Sequence, residues 1–147
     1  MDLKKDAKER ALAKKLNVRF DTKEFCRTPG SGAFATTHKL PEYLQVHGDL
    51  ITPEKFKFVI EAKRGYDIKF EDLWKPKSNL YSFIAQAARD GKNAGKPWLL
   101  IYKKDRQKEC VISLEKFPIN EKALFKGVYY LYLLEDVLAL KDDIFFL

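Results

Sequence analysis

Apolar residues recur at helical spacing in two stretches of the chain and form short runs in several others. In LKKDAKERALAKKL (3–16) strong helix formers dominate, and Leu12, Ala13 and Leu16 share a stripe, which predicts a first helix ending near Asn17. A short β-like stretch around FCRT follows. TPGSGAFATTHKLPEY then has no sustained period and is rich in turn formers, as expected of a loop. QVHGDLI (45–51) and FKFVIEAKR (56–64) read as strands on either side of TPEK, a connection length that suits an antiparallel hairpin. In SNLYSFIAQAARDG (78–91), Ser78 is the expected N-cap and Gly91 the expected stop, with Leu80, Phe83, Ile84, Ala87 and Ala88 forming the apolar stripe. PWLLIYK (97–103) and CVISL (110–114) suggest central strands. GVYYLYLLEDVLAL (127–140) fits either period and is read as a strand running into a short terminal segment. This order predicts an α/β domain over 1–147, with a mixed sheet covered by helices. Internal repeats and low-complexity segments are absent from the sequence.

Composition narrows the range of partners. With 28 Lys and Arg against 21 Asp and Glu, the chain carries a formal net charge of +7, which favours polyanions and nucleic acid first. KKDAKERALAKK, KPK (75–77), RDGKNAGK and KKDRQK (103–108) distribute the basic residues, but acids are interspersed among them. Such segments read either as solvated faces or as non-specific contacts to a phosphate backbone. No apolar stretch is long enough to span a bilayer and the amino terminus lacks a signal-peptide core, so the expectation is a cytoplasmic protein without membrane contact. Cys26 and Cys110 are far apart and outside any CxxC pattern, which indicates neither a disulfide framework nor zinc. Zinc-finger spacing, an RNP aromatic box and a phosphate-binding GKT/S loop are also missing.

The candidate chemistry lies in GDL (48–50) and EAK (61–63). Along a strand, Phe56, Phe58, Ile60 and Ala62 point one way and Lys57, Val59, Glu61 and Lys63 the other. Burying a glutamate and a lysine typically costs several kcal/mol per ion unless each is hydrogen-bonded or bound to a charge. A divalent cation would offset that cost. Asp49, reaching Glu61 across the expected hairpin, would add a second hard oxygen ligand. Two carboxylates, the Ala62 carbonyl and waters make an octahedral Mg²⁺ site. Such an ion would polarise a phosphodiester, with Lys63 holding the attacking water or screening charge. The other reading of the same residues is a solvated charge pair in a sheet.

Glu9 in AKERA, Arg27 to Gly32 in RTPGSG, Asp49 in GDL, and Glu61 with Lys63 in EAK stand in an order and approximate spacing that resembles the archaeal-type Holliday junction resolvases and their phage-encoded relatives. These enzymes belong to the PD-(D/E)xK nuclease superfamily. FIAQAARDGKNAGKPWLLIYK is similar to the helix and strand that follow the active-site hairpin in many of its members. The insertion GAFATTHKLPEYLQVH is longer than the corresponding loop of the compact archaeal enzymes. The resemblance implies a restriction-endonuclease-like fold, a mixed central β-sheet flanked by α-helices. It also implies a homodimer that cuts branched DNA, the four-way junction, with Mg²⁺ and also with Mn²⁺.

By the same resemblance, Glu9, Asp49, Glu61 and the Ala62 carbonyl hold the metal, and Lys63 assists the water. Arg27 and Ser31 contact the scissile phosphate, while Gln86 orients water or phosphate. Each has a plainer alternative: helix-surface charge for Glu9, turn chemistry for Arg27 and Ser31, and a polar boundary position for Gln86. His47 shares a face with Asp49 or is an ordinary loop-side histidine, and His38 carries no assignment. Tyr129, Tyr130 and Tyr132 are partner-contacting aromatics or core. Three further functions fit the sequence: a nuclease for duplex or flap DNA, a non-catalytic nucleic-acid-binding module, and an interaction protein with an acidic partner.

Overall fold

The computed structural model describes residues 3–28, 48–64, 72, 74, 75, 77–103 and 107–147. Ser31, His38 and His47 lie outside them. The elements are α1 (Leu3–Phe20), β1 (Cys26–Arg27), β2 (Leu50–Ile51), β3 (Val59–Arg64), α2 (Asn79–Ala94), β4 (Trp98–Lys103), β5 (Cys110–Ser113), β6 (Ala123–Phe125), β7 (Tyr129–Leu133) and α3 (Leu134–Leu138), followed by a 3₁₀ turn at Asp142–Ile144. Five strands form a mixed sheet in the order β3-β4-β5-β7-β6, with β3 and β4 parallel and the remaining pairs antiparallel. The α2 helix makes the crossover that a parallel pair requires.

Both faces of the sheet are covered, which explains why WLLI is apolar without alternation. Ile60 lies opposite Leu99 and Glu61 opposite Leu100, so alternate residues serve different layers. On one face Ile60, Leu99, Ile101, Val111 and Tyr132 pack with Leu12, Ala13 and Leu16 of α1 and Leu134 and Val137 of α3. On the other, Leu100 and Ile112 pack with Leu80, Ile84 and Ala87 of α2. The α1 helix runs past Asn17 to Phe20, where its end is tied down: Arg19 donates to the carbonyls of Leu138 and Leu140 at 2.5 and 2.6 Å and pairs with Asp142. Asn17 instead holds the chain after the helix, exchanging two hydrogen bonds with the Phe25 backbone. Tyr132 is interior, its hydroxyl donating to the Glu115 carbonyl and accepting the Phe117 N–H.

Two expectations are corrected. Among the described residues, the hairpin of 45–51 with 56–64 does not form as a ladder. Instead β2 pairs with β1, Cys26 opposite Ile51 and Arg27 opposite Leu50. The turn at TPEK is present, with the Phe56 N–H donating to the Pro53 carbonyl, but Phe56 then bridges Phe146 and the regular strand starts only at Val59. Burial drives this exchange. Phe56 sits among Phe20, Phe25, Phe145 and Phe146, whose ring centroids lie 5.0–6.3 Å from its own. Gly91 does not stop α2, which continues to Ala94 and ends at Gly95 in the left-handed region, φ 68°. Gly91 allows close packing, because a Cβ there would stand 2.7 Å from the Lys96 carbonyl oxygen. The strand read within 127–140 is present as β7 and runs into α3, and it forms a hairpin with β6 that turns at Lys126 and Gly127, both with positive φ; β6 itself was not read from the sequence.

Candidate active site

Because β3 is an edge strand, the polar groups of its outer side need partners from elsewhere. Asp49 supplies two of them. Its N–H donates to the Ile60 carbonyl at 2.9 Å, and its Oδ2 accepts the Ala62 N–H at 2.8 Å. One residue therefore spans the edge on both sides of Glu61. Gly48 makes that approach possible: its φ is +80°, and a Cβ there would lie 2.5 Å from the Ile60 carbonyl oxygen. Asp49 also accepts the Thr28 N–H through its own carbonyl, so the end of the β1 segment, with Arg27, is tethered to it.

Glu61 points to the α2 side of the sheet and is 0% exposed, with neither carboxylate oxygen accepting a hydrogen bond from the described residues. Burial is the largest influence on it, and the Asp90 and Asp49 carboxyls beside it add to the effect, pushing its pKa up from 4.5 to about 10. Burial and the two neighbouring acids thus all favour the protonated form of Glu61. Lys63, 8% exposed, points to the same side. The pair expected between Glu61 and Lys63 is not made: the Lys63 ammonium sits 5.1 Å from the Phe83 ring centroid, over its face. Residues two apart on a strand share a face without touching, and Phe83 of α2 captures the longer side chain.

The remaining candidates lie around this core. Glu9 is 5% exposed on the stripe of α1, so it is not helix-surface charge. That stripe packs on the sheet face opposite the one to which Glu61 points, and the carboxyls that bear on Glu61 are those of Asp90 and Asp49. Arg27 lines a groove of about 590 Å³ together with Arg10, Lys14, Asn17 and Thr22, a basic margin along α1. Gln86 is half-buried on α2, one turn before Asp90. Ala62 contributes its N–H to Asp49, whereas its carbonyl was the expected ligand. Cys26 and Cys110 are free thiols, both pushed up in pKa by burial. Asp90 is the residue that sequence reasoning missed. Its only sequence signal is its place four residues after Gln86 and seven after Phe83, on the helix that covers EAK.

The donor set suits a hard divalent cation. Asp49 keeps one oxygen outside its bond to Ala62, and Glu61 has both oxygens buried and unbonded. As the side chains stand, no group of three or more His, Cys, Asp or Glu among the described residues converges tightly enough to enclose an ion. No helix among the described residues is long and apolar enough to cross a membrane.

Residues 4–129 match the family model described as phage putative PDDEXK endonuclease. No curated protein matches the chain. Among solved structures, the chain is similar to Archaeoglobus fulgidus Hjc, a Holliday junction resolvase from an archaeal hyperthermophile. That alignment has 12% identity and a TM-score of 0.36, and it covers 86% of this chain and 87% of the other.

Proposed function

The chain belongs to the phage putative PDDEXK endonuclease family, and from that premise we propose that it is a Mg²⁺-dependent DNA endonuclease that resolves four-way junctions as a homodimer. The observation that carries the metal-dependent reading is Glu61, a fully buried carboxyl whose oxygens accept no hydrogen bond from the described residues and which has two further carboxyls beside it. A folded protein tolerates such a group by keeping it protonated or by completing it with a cation, and a cation lets it act as a ligand near neutral pH. In this reading Asp49 and Glu61 would hold Mg²⁺ or Mn²⁺, with the Ala62 carbonyl, and Glu9, on the α1 face of the sheet, would act through water. When bound, the ion would polarise the phosphodiester and lower the pKa of water. Lys63 swings from Phe83 to hold the attacking water by hydrogen bonding and to screen the charge growing on phosphorus. Arg27, with Ser31, fixes the scissile phosphate, and Gln86 orients water or phosphate. Arg10 and Lys14 extend the basic margin along the backbone.

The junction as substrate is supported by the order Glu9, RTPGSG, Asp49 and EAK, and a C₂ dimer suits paired incisions in a substrate of approximate two-fold symmetry. The test is incubation of the wild-type protein with labelled four-way junction, flap, linear duplex and single strand in Mg²⁺ or EDTA. Symmetric paired nicks in the junction, absent in EDTA, are the expected result. Metal-dependent cutting of flap or duplex alone would retain the nuclease and replace its substrate. Binding without any cutting would replace the enzyme with a nucleic-acid-binding module.

A further inference from the structure

We propose that Asp90 is a further carboxylate of the cation site, reaching the ion from α2 together with Asp49 and Glu61 of the β3 edge. The inference rests on the metal-dependent reading above and extends it to a residue outside GDL and EAK. Geometry supports it first. In the β3–α2–β4 crossover, α2 runs opposite to two parallel strands, so advancing along the helix means moving back along β3. Phe83 lies under the Lys63 ammonium. Asp90 is two turns further on, roughly 10 Å along the helix axis, and at about 3.3 Å per strand residue this reaches back past Glu61 towards Ile60. Gly91 gives a second fix on the register, since it packs against Trp98, whose β3 partner is Val59. The Asp90 carboxyl accordingly meets that of Glu61.

Chemistry supports it next. A half-buried aspartate beside a fully buried glutamate brings two acids together, and in the metal-free protein the proton retained by Glu61 keeps them from repelling each other. A divalent ion between the two carboxylates would take the place of that proton, because ligand charge raises affinity for hard cations. The Asp90 side chain is anchored on a regular helix, whereas Asp49 sits on an irregular crossing segment. The site would then take ligands from two independent elements.

The test is Mn²⁺ binding to the full chain without DNA, read as the free-ion EPR signal, for wild type, Asp90→Asn, Asp90→Ser, Glu61→Gln and Glu121→Gln. The last removes an exposed carboxylate next to β6, at the opposite edge of the sheet. Asp90→Asn and Asp90→Ser are expected to weaken Mn²⁺ binding about tenfold or more, while Glu121→Gln leaves it unchanged. Thermal stability of the metal-free Asp90→Asn protein is expected to hold, because the amide oxygen can still accept the proton carried by Glu61, whereas a merely structural role would lower stability and leave Mn²⁺ binding unchanged. If wild type binds Mn²⁺, Glu61→Gln does not, and both Asp90 variants bind like wild type, Asp90 is not a ligand and the site reading survives. If wild type fails to bind Mn²⁺, or Glu61→Gln binds as well as wild type, the cation site itself is overturned.

Discussion

Glu61 shows how much a single placement sets the behaviour of this protein. Its folded pKa of about 10 lies above the unfolded value of 4.5, so the folded state holds the proton more tightly. Stability from this group is therefore complete below about pH 4.5 and is lost progressively as pH rises towards 10, with a slope of at most about 1.4 kcal/mol per pH unit. Urea unfolding of metal-free protein from pH 6 to 9 should show this decline, and Glu61→Gln should flatten it. Added Mg²⁺ is expected to restore stability more at pH 8 than at pH 6, because the ion competes with the proton for the same oxygens. A flat wild-type profile without metal would contradict this picture of the carboxylate. Residue alternation in FKFVIEAKR was enough to place Glu61 and Lys63 on one face. It could not show that Lys63 prefers the Phe83 ring, because that contact depends on the depth at which α2 lies over the strand.

At the scale of elements, local pattern and long-range partner choice separate clearly. The α2, β4 and β5 elements were legible because their apolar runs are complete within themselves: a helical stripe for one layer, and continuous apolar strands for a sheet buried on both faces. The proposed hairpin failed because connection length says nothing of competing partners. Phe56 prefers the C-terminal aromatic residues Phe145 and Phe146, and β2 prefers β1. β6 was missed because Lys126-Gly127 is a weaker turn signal than Asn-Gly or Asp-Gly. Asp49 still reaches β3, through Gly48 and two hydrogen bonds instead of a ladder. Gly48→Ala is therefore expected to cost at least about 1 kcal/mol from the left-handed backbone alone. It should also lower nuclease activity more than that loss accounts for, since the Cβ would push Asp49 off the β3 edge. Denaturant midpoints and cleavage rates measured on the same preparation would separate the two effects, and a variant with wild-type rates would show that the close crossing is not needed.

For the whole molecule, the sheet brings an acidic, water-poor centre and a basic margin close together. Asp49 and the α1 groove meet through β1, where Arg27 lies beside Leu50 and Thr28 bonds to Asp49. Under the proposed function, the net charge of +7 would favour DNA at the surface, while cutting would require a cation at the acidic centre around Glu61. Binding and cutting should thus be separable, and Glu61→Gln separates them with little change in side-chain size. The most direct measurement is cleavage and gel-shift binding of a labelled four-way junction by wild type and Glu61→Gln, with Mg²⁺ present for cleavage and Ca²⁺ for binding. Wild type should nick the junction in symmetric pairs, and Glu61→Gln should bind it within a few-fold while cutting at least about a thousandfold more slowly, since it loses a direct ligand of the ion. Cutting by Glu61→Gln at the wild-type rate would contradict the claim that this buried carboxylate organises the active site.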